Sequence, residues 1–332
     1  MANKEKETEG KESLEKALER ISKVHDIIVS QIKNMDAKEV EVISSGSYSI
    51  DHALGRGGFP RGTIAEVFGK PSGGKTTLSL LAIAEAQKAG GKAAFIDVEH
   101  SLDQEWAARL GVDVDELIIT QPDSGEQALQ IVEELVLTGQ VDMIVVDSVA
   151  GLVPKSELEG QLGQQNMASQ ARLLSQALRR LVPVVGKSKC ILIFINQVRD
   201  GLNPYGPKEV TPGGNALKFY CSLRLSVKKL NDTVIKGEDG SPLGHDVEAT
   251  IVKNKVAAPG RKATFTLKFL EGVDRVEEVF NLGVTLGIVE QAGPTYKFGA
   301  LSTKGKDKFV EALRSDEKLH KELLDAIQNY KK

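Results

Sequence analysis

The chain has 332 residues, 41% of them hydrophobic and 27% charged, which is typical of a folded globular protein. Its 43 basic residues nearly balance its 46 acidic ones, which excludes nucleic-acid binding through an overall positive charge and leaves only local loops and patches. No apolar segment approaches the roughly 20 residues of a membrane span, and the charged N-terminus lacks a signal peptide's apolar stretch. The two cysteines, Cys190 and Cys221, lie in apolar segments and suggest no metal site. We therefore expect a cytoplasmic protein that does not associate with membranes.

The first predicted element is an amphipathic helix near the N-terminus. Its apolar positions recur at helical spacing on one face: Leu14, Ala17, Leu18, Ile21, Val24, Ile28 and Ile32. Two interpretations of this face are open. The helix packs on its own domain, or it is an arm that packs on another copy of the protein.

The centre of the chain alternates short apolar segments with helical ones. The apolar segments are TIAEVFG, KAAFIDVE, LIITQP, MIVVDSV and ILIFINQ. This alternation predicts an α/β core with a parallel sheet covered on both faces. After about residue 215 the strands alternate polar and apolar residues and would extend the sheet in mixed or antiparallel fashion. From about residue 272 a small module follows, whose last helix is predicted to begin with Ser315 as its N-cap.

The segment from residue 69 to residue 77, GKPSGGKTT, has the spacing of a phosphate-binding P-loop. A β-rich segment precedes it and a good helix follows, which is the context that this motif requires. Backbone N–H groups would surround the phosphates of a nucleoside triphosphate. Lys75 would reach the β- and γ-oxygens, and the hydroxyl of Thr76 would hold Mg²⁺. The predicted nucleotide-binding residues are Gly69, Lys70, Pro71, Ser72, Gly73, Gly74, Lys75, Thr76 and Thr77.

Two further predicted strands end in carboxylates. In MIVVDS the strand ends at Asp147, which we expect to support the metal ion with Thr76 rather than to cap a helix. In FIDVEH, strand alternation places Asp97 and Glu99 on one face, so geometry alone does not choose the base that orients the attacking water. Glu99 is preferred because it lies nearer the carboxyl end of the strand, where α/β sheets bind their ligands.

Two long segments follow strands of the predicted core. One spans about residues 157–169, after the Asp147 strand, and the other spans residues 198–214, directly after Gln197. The second segment contains four glycines and three prolines and has almost no capacity to form a core. Because it is attached to Gln197, a polar residue at a strand end that could sense the γ-phosphate, nucleotide state could control its conformation.

Eight segments in this order resemble the bacterial RecA recombinase family, from about Ser44 to the C-terminus. They are SSGSYSIDHALGRGGFPRG, GKPSGGKTT, FIDVEHSLD, QPDSGEQAL, VDMIVVDSVAGLVPKSELEG, ILIFINQVR, GGNALKFY and VKNKVAAP. The resemblance implies a RecA-like P-loop core with a mostly parallel central sheet, an N-terminal helical arm and a small α+β C-terminal domain. It also implies an ATP- and Mg²⁺-dependent helical filament on single-stranded DNA that pairs it with homologous double-stranded DNA. DNA-stimulated ATP hydrolysis, strand exchange in DNA repair and self-cleavage of a LexA-type repressor in the SOS response belong to the same implication.

The resemblance also implies roles for individual residues around ATP. Glu99 is the catalytic carboxylate, and Gln197 is the switch that joins ATP to the second DNA loop. Asp103 and Trp106 would flank the adenine, with Trp106 as the stacking ring. Lys253 and Lys255 would reach into the neighbouring protomer's ATP site and act like arginine fingers. A solvated strand edge is the alternative reading of these two lysines.

For DNA, the family implies contacts that do not depend on sequence. Arg172 and Arg179 would contact phosphates, Met167 and Leu202 would insert between base triplets, and Gly213 and Gly214 would allow close backbone approach. Arg199, at the start of the second loop, completes the predicted DNA-binding residues: Met167, Arg172, Arg179, Arg199, Leu202, Gly213 and Gly214.

The predicted division of the chain has three parts. Residues 1–43 form the oligomerisation arm, 44–271 the ATPase core with DNA loops at about 157–169 and 198–214, and 272–332 the C-terminal domain. With the resemblance, the arm becomes the favoured interpretation of the N-terminal helix. Two rival functions are a hexameric helicase of the same core fold, which would form closed rings, and a non-hydrolysing, nucleotide-gated scaffold filament, which would lack DNA-stimulated turnover.

Overall fold

The computed structural model describes residues 13–25, 40–161, 168–201, 209–237 and 239–330. The chain divides into two units, Met1–Val40 and Glu41–Lys332. The first contains helix α1, Leu14–His25, none of whose residues is buried. On its apolar face Leu14 and Val24 are 63% and 66% exposed. Ile28 and Ile32, which would continue this face, lie outside the described residues.

The second unit contains the α/β core and a C-terminal module. Its strands are β1 Val42–Ile43, β2 Phe59–Pro60, β3 Ile64–Gly69, β4 Ala93–Asp97, β5 Ile118–Thr120, β6 Met143–Asp147, β7 Ile191–Gln197, β8 Arg199–Asp200, β9 Glu209–Val210, β10 Leu223–Lys236, β11 Pro242–Asn254, β12 Lys262–Lys268, β13 Gly272–Val273, β14 Glu290–Ala292, β15 Thr295–Phe298 and β16 Leu301–Lys304. Its helices are α2 Tyr48–Leu54, α3 Lys75–Lys88, α4 Gln104–Arg109, α5 Gly125–Leu137, α6 Lys155–Leu158, α7 Ser169–Ser188, α8 Ala216–Tyr220, α9 Arg275–Thr285, α10 Lys306–Ser315 and α11 Glu317–Gln328.

The central sheet of the described chain has nine strands in the order β13-β12-β11-β10-β3-β7-β6-β4-β5. The six strands from β10 to β5 in this order run parallel to their neighbours. The strands β11, β12 and β13 continue the sheet in antiparallel fashion. The predicted α/β class with a mostly parallel central sheet is therefore confirmed, as is the antiparallel extension after residue 215.

Helices cover both faces of this sheet because its strands are apolar on both sides. In β4 and β6, Phe95 and Val145 point into a core shared with α3, whereas Ile96 and Val146 point into a second core shared with α5 and α7. The alternation of side chains along a strand divides each run of apolar residues between the two cores. This explains why these segments lack the polar positions of a half-exposed strand.

The carboxyl ends of the parallel strands meet at one edge of the sheet. The register places Gly69, at the end of β3, opposite Gln197, at the end of β7. In the same way Asp97, at the end of β4, lies opposite Asp147, at the end of β6. Parallel pairing alone thus brings to one edge the residues that are predicted to bind the nucleotide, to hold the metal ion and to act as the switch.

The C-terminal module packs α9, α10 and α11 with the antiparallel sheet β14–β15–β16. Its own core includes the rings of Phe280, Tyr296 and Phe309, whose centroids lie 5.0 to 6.4 Å apart. The predicted N-cap of the last helix was wrong by one residue. Asp316, not Ser315, caps α11, because its carboxylate accepts a hydrogen bond from the N–H of Leu319 at 3.0 Å. The predicted three-part division with its boundaries at residues 43 and 271 stays a prediction.

None of the helices in the described part of the chain is both long enough and apolar enough to span a bilayer. Cys190 and Cys221 are fully buried free thiols, in agreement with the apolar segments that contain them. No group of three or more His, Cys, Asp or Glu side chains among the described residues could hold a metal ion by itself.

Candidate nucleotide and DNA site

The phosphate loop is a turn between β3 and α3 that requires glycine at two positions. At Gly69 a Cβ atom would lie 2.0 Å from the carbonyl oxygen of Val227 in β10. At Gly74, the N-cap of α3, φ is 89° and a Cβ atom would lie 2.9 Å from Leu267. The first turn of α3 has no acidic residue, so its free N–H groups are available to an anion.

Lys75 lies in this loop with its side chain largely enclosed. It is 8% exposed, and its ammonium donates a hydrogen bond to the carbonyl oxygen of Lys70 at 2.8 Å. Burial lowers the pKa of Lys75, while the nearby carboxylates of Asp147 and Glu99 oppose that shift. The lysine is thus held at the loop with two carboxylates in its surroundings, as a phosphate-binding residue would be.

Thr76 and Asp147 meet at the mouth of the loop. The hydroxyl of Thr76 donates a hydrogen bond to Oδ2 of Asp147 at 2.7 Å. Burial raises the pKa of Asp147 to about 6, although the bond from Thr76 opposes this change. A hydroxyl and a carboxylate oxygen fit the preference of Mg²⁺ for hard ligands, and a cation would compensate the buried charge. A site with a single carboxylate also agrees with the way Mg²⁺ is usually shared with phosphates.

The two candidate bases, which alternation could not distinguish, have different surroundings. Asp97 is 1% exposed and accepts hydrogen bonds from the N–H groups of Ser101 and Leu102 and from the amide of Gln121. Its carboxylate therefore stabilises the turn after β4. Glu99 is exposed and lies beside the phosphate loop.

Two side chains from neighbouring strand ends donate to the carboxylate of Glu99. The Ser148 hydroxyl and the Gln197 amide both donate to Oε1, the latter at 3.0 Å. Ser148 was not among the predicted site residues, although its position directly after Asp147 was a usable signal. Glu99 is thus linked both to the end of β6, which carries Asp147, and to β7, which leads into the second loop.

The second loop is attached at both ends to the end of β7. Asn196 accepts a hydrogen bond from the N–H of Gln197 at 2.9 Å through Oδ1. Its Nδ2 donates to Oε1 of Glu66 at 2.9 Å and to the carbonyl oxygen of Pro212 at 3.2 Å. Strand β8 pairs with β9 in antiparallel fashion, which brings the departing and returning segments together. An ion pair of 3.3 Å between Lys70 and Glu209 also joins this base to the phosphate loop.

A cavity of about 320 Å³ opens beside the phosphate loop. It is lined by Ser72, Gly73, Gly74, Lys75, Thr76, Thr77, Trp106, His245, Leu267, Lys268 and Phe269. Trp106, the predicted stacking ring, is therefore in the cavity wall. Asp103 caps α4 instead of lining it: its Oδ1 accepts from the N–H of Trp106 at 3.0 Å. His245 in β11 and Phe269 directly after β12 were not predicted from the sequence, because they follow the phosphate loop by about 170 and about 190 residues.

Lys253 and Lys255 lie at the end of β11 and do not line this cavity. The ammonium of Lys253 donates to the carbonyl oxygens of Lys218 and Phe219 at 2.7 and 3.0 Å. These carbonyls belong to the last turn of α8, where a cation is favourable. Burial, and then the charge of Lys255, lowers the pKa of Lys253.

The predicted DNA-binding residues divide into three groups. Arg172 and Arg179 are exposed and lie seven residues apart on one face of α7, and Arg199 is exposed on β8. Gly213 and Gly214 have φ values of 82° and 70°, and Cβ atoms there would lie 2.7 and 3.0 Å from side chains of α7. Packing inside the protein therefore already requires both glycines. Met167 and Leu202 lie outside the described residues.

A family model described as the RecA N-terminal domain matches residues 12–274 of the chain. The chain belongs to the RecA family. Among curated proteins, it is 46% identical to Protein RecA of Anaplasma marginale (strain Florida) over 330 residues, which cover 98% of this chain and 91% of the relative. It is 48% identical to Protein RecA of Thermus thermophilus and 49% identical to that of Thermus aquaticus, each over 316 residues, or 94% of this chain and 92% of the relative.

Membership of the RecA family defines what this chain does in general terms. RecA-family proteins are DNA-dependent ATPases that act in DNA recombination, DNA repair and the SOS response, and this chain is a recombinase of that family. Nucleotide binding with Mg²⁺, DNA binding and filament formation follow from the same membership. The family therefore favours the recombinase over the ring helicase and the non-hydrolysing scaffold.

Proposed function

We propose that ATP is bound and hydrolysed at the phosphate loop, and that its terminal phosphate controls the second DNA loop through Gln197. One observation carries this proposal. The amide of Gln197 is bonded to Glu99 beside the phosphate loop, while the adjacent Asn196 is bonded to Pro212 at the return of the DNA loop. Consecutive residues of one strand therefore contact the carboxylate beside the phosphate loop and the base of the second loop. A shift of Gln197 toward a γ-phosphate would release Glu99 and be transmitted to the loop base.

Each catalytic role rests on a distinct placement. Lys75 and the N-terminus of α3 would hold the phosphates, and Thr76 with Asp147 would hold Mg²⁺, which when bound supplies positive charge against the phosphate oxygens. Glu99 would orient the attacking water and accept its proton, because its carboxylate is the one that local N–H groups leave free. Ser148 would keep Glu99 in position.

DNA would be bound by exposed arginines from two segments beside the site. Arg172 and Arg179 on α7 and Arg199 on β8 supply positive charge without an overall positive field. Contacts with phosphates are independent of base sequence, which suits a protein that must bind any single strand. We assign the loops at about 157–169 and 198–214 to this contact.

Assembly would place a second copy of the chain against the ATP site. Lys253 and Lys255 do not line the cavity of their own chain, and Lys253 would exchange its bonds to the carbonyl oxygens of Lys218 and Phe219 for a neighbour's phosphates. Helix α1 has an apolar face without a buried residue, which suits an arm that packs on another protomer. Cytoplasmic location and stimulation of a LexA-type repressor's self-cleavage are proposed from the family alone. Absence of repressor cleavage by DNA-bound filaments would contradict the latter.

The affinity of the protein for single-stranded DNA in different nucleotide states tests the proposal. Fluorescence anisotropy would be measured with no nucleotide, with ADP and with a slowly hydrolysed ATP analogue. We expect the triphosphate-bound protein to bind single-stranded DNA at least tenfold more tightly than the nucleotide-free protein. A tenfold ratio corresponds to about 1.4 kcal/mol of coupling free energy between nucleotide and DNA. In Gln197→Ala this ratio should fall toward one while the ATP analogue still binds.

A matched control is Gln121→Ala. Gln121 also donates its amide to a carboxylate at this sheet edge, that of Asp97 at 2.9 Å. Within the described part of the chain, this bond does not lead to either end of the second loop. Its variant should keep the nucleotide dependence of the wild type. Identical DNA affinity in the nucleotide-free and triphosphate-bound wild type would show that the link through Gln197 does not exist.

A further inference from the structure

His245 is a buried imidazole whose hydrogen-bonding groups are unused. It is 3% exposed, and neither Nδ1 nor Nε2 has a hydrogen-bond partner among the described residues. Buried polar side-chain atoms in folded proteins are nearly always paired with protein or with ordered water. Two unpaired nitrogens on one ring therefore point to a partner other than the described residues.

The sheet topology carries His245 to the phosphate loop. Strand β10 is parallel to β3, and β11 is antiparallel to β10, so the first half of β11 lies at the edge where β3 ends. His245 is paired in register with Leu267 of β12. Leu267 is the residue against which Gly74 of the phosphate loop packs. His245 and the loop thus lie on either side of one leucine.

The position of His245 along β11 is one that normally holds an apolar residue. It shares a face with Val247 and Ala249, both of which are fully buried in the core beneath α3. An imidazole at the end of this apolar row lowers the stability of the core, because burying a donor and an acceptor without partners costs free energy. Its placement is explained if a ligand in the neighbouring cavity, which His245 lines, supplies a partner for those groups.

The cavity that His245 lines is bounded both by the phosphate loop and by aromatic rings. The rings are those of Trp106 and Phe269. The rings of His245 and Phe269 have centroids 5.5 Å apart and are tilted by 57°. The cavity of about 320 Å³ thus combines hydrogen-bond donors for phosphate with aromatic rings. This combination suits a ligand that has a charged phosphate chain and a flat base.

The imidazole is suited to reading a base because it is uncharged. Burial lowers the pKa of His245, and so does the charge of Lys229, while Asp246 opposes the shift. A neutral imidazole offers one N–H donor and one nitrogen acceptor. The amino group of adenine can donate a hydrogen bond to that nitrogen acceptor. Inosine has an oxygen in place of that amino group.

We propose that His245 recognises the base of the bound nucleotide through a hydrogen bond to its edge, and so contributes to the selection of adenine. This inference rests on the proposed function, since it requires the nucleotide to occupy the cavity beside the phosphate loop. It adds a specificity-determining residue that is contributed by the antiparallel extension of the sheet rather than by the P-loop core.

The test compares ligands that share the phosphates and differ in the base. Full-length protein would be titrated with ATP, with ITP, with purine riboside triphosphate, which lacks the amino group, and with inorganic triphosphate, all with Mg²⁺. Wild type should prefer ATP. In His245→Leu, which removes donor and acceptor, ATP affinity should fall roughly tenfold and approach that of the other two nucleotides, in line with one lost buried hydrogen bond. Inorganic triphosphate should bind both proteins equally.

Two further variants separate recognition from folding. His245→Asn retains a donor and an acceptor and should recover part of the preference for ATP. His320→Leu is the matched control. His320 also has a buried ring nitrogen that is bonded to none of the described residues, but it lies on α11 in the C-terminal module. Its variant should bind every ligand as the wild type does. If His245→Leu does not fold, the ¹⁵N shifts of the His245 ring in wild type decide: they should change with ATP and not with inorganic triphosphate.

The outcomes distinguish the inference from the function beneath it. If neither ATP nor inorganic triphosphate bound to the wild type, the proposed function itself would fail. If both bound but His245→Leu kept the full preference for ATP, His245 would be a buried core histidine and the inference would be overturned. The same would follow if the ¹⁵N chemical shifts of the His245 ring did not change when ATP bound.

Discussion

Glu99 and Asp97 come from the same short segment and yet have different chemical surroundings. Asp97 has its oxygens occupied by two backbone N–H groups and one amide, so it holds the turn after β4. Glu99, beside the phosphate loop, accepts hydrogen bonds from Ser148 and Gln197 at the ends of two other strands. The donors around each carboxylate therefore identify Asp97 as a structural group and leave Glu99 as the proposed catalytic one.

The two carboxylates should therefore respond differently to removal of their charge. In Glu99→Gln we expect DNA-stimulated ATP turnover to fall by about 10²–10⁴-fold, since the general base is lost, while ATP still binds. In Asp97→Asn the main effect should be a lower melting temperature, because the amide has one acceptor oxygen for the three donors that two carboxylate oxygens now serve. Phosphate release and thermal unfolding measure the two effects, and near-normal turnover in Glu99→Gln would show that the base is another group.

At the scale of elements, a buried polar group joins three adjacent strands beneath the site. Glu66 of β3 is fully buried and accepts from Arg224 of β10 at 2.5 Å and from Asn196 of β7 at 2.9 Å. The guanidinium of Arg224 also lies 4.5 Å from the ring centroid of Phe68. Since Asn196 also holds the carbonyl of Pro212, the sheet fixes the return of the second loop.

Loss of this connection should uncouple the loop from the nucleotide. In Asn196→Ala the carbonyl of Pro212 and one oxygen of Glu66 lose a donor, so we expect about 1–3 kcal/mol lower stability. The increase in single-stranded DNA affinity caused by ATP should shrink by roughly tenfold, while ATP affinity itself changes little. Urea unfolding and DNA anisotropy are the measurements.

The control for this prediction lies at the opposite edge of the same sheet. Asp142 accepts from the N–H of Lys92 at 2.9 Å and from Arg61 at 2.5 Å, before β4 and β6 begin. Asp142→Asn should lower stability without changing the nucleotide dependence of DNA binding. If both variants changed that dependence equally, the effect would be one of general stability and not of the Asn196 link.

At the scale of the whole molecule, a buried carboxylate fastens the C-terminal module to the core. Glu278 of α9 is 1% exposed and accepts from the Ser47 hydroxyl and from the N–H of Tyr48, at the start of α2. Burial raises the pKa of Glu278 from 4.5 to about 7, although the bonds from Ser47 and its neighbours oppose this. The core residue Asp51 is affected in the same direction, with its pKa raised by burial to about 6.

The raised pKa predicts how stability depends on pH. Folded protein keeps the proton of Glu278 up to pH about 7, whereas the unfolded chain releases it near 4.5. The contribution of this group is therefore fully present below pH 4.5 and is lost as pH rises through about 7, by about 3 kcal/mol at most. Glu278→Gln should show a smaller fall of the unfolding free energy between pH 5 and pH 8 in urea titrations.

An exposed glutamate of the same module provides the comparison. Glu322 on α11 has a side chain 56% exposed, so Glu322→Gln should retain the wild-type dependence on pH. Equal slopes for wild type and both variants would mean that Glu278 does not hold its proton in the folded state.

Filament assembly is where the two lysines at the end of β11 should act. In the double variant Lys253→Ala, Lys255→Ala, we expect ATP-dependent assembly to be weakened at least tenfold more than the ATP affinity of the isolated protomer. The reason is that these side chains lie outside their own cavity. Light scattering measures the assembly. An equal loss of assembly and of binding would remove their proposed role in a neighbour's site.

What the sequence alone determined is local in the chain or follows from parallel pairing. The phosphate loop could be predicted because glycines, Lys75 and Thr76 occur within nine residues between a strand and a helix. Asp147 and Gln197 could be predicted because each ends an apolar strand, and parallel strands end at a common edge. The family followed from eight such segments in order.

The tertiary structure alone decided which distant side chains complete the site. It separated Glu99 from Asp97, joined Asn196 to Pro212, and placed His245 beside the phosphate loop. The order and direction of the strands, together with turn geometry, determine these contacts. Alternating apolar residues tell which face a side chain occupies, but not which strand will lie next to it, because any strand with the same pattern could be buried equally well there.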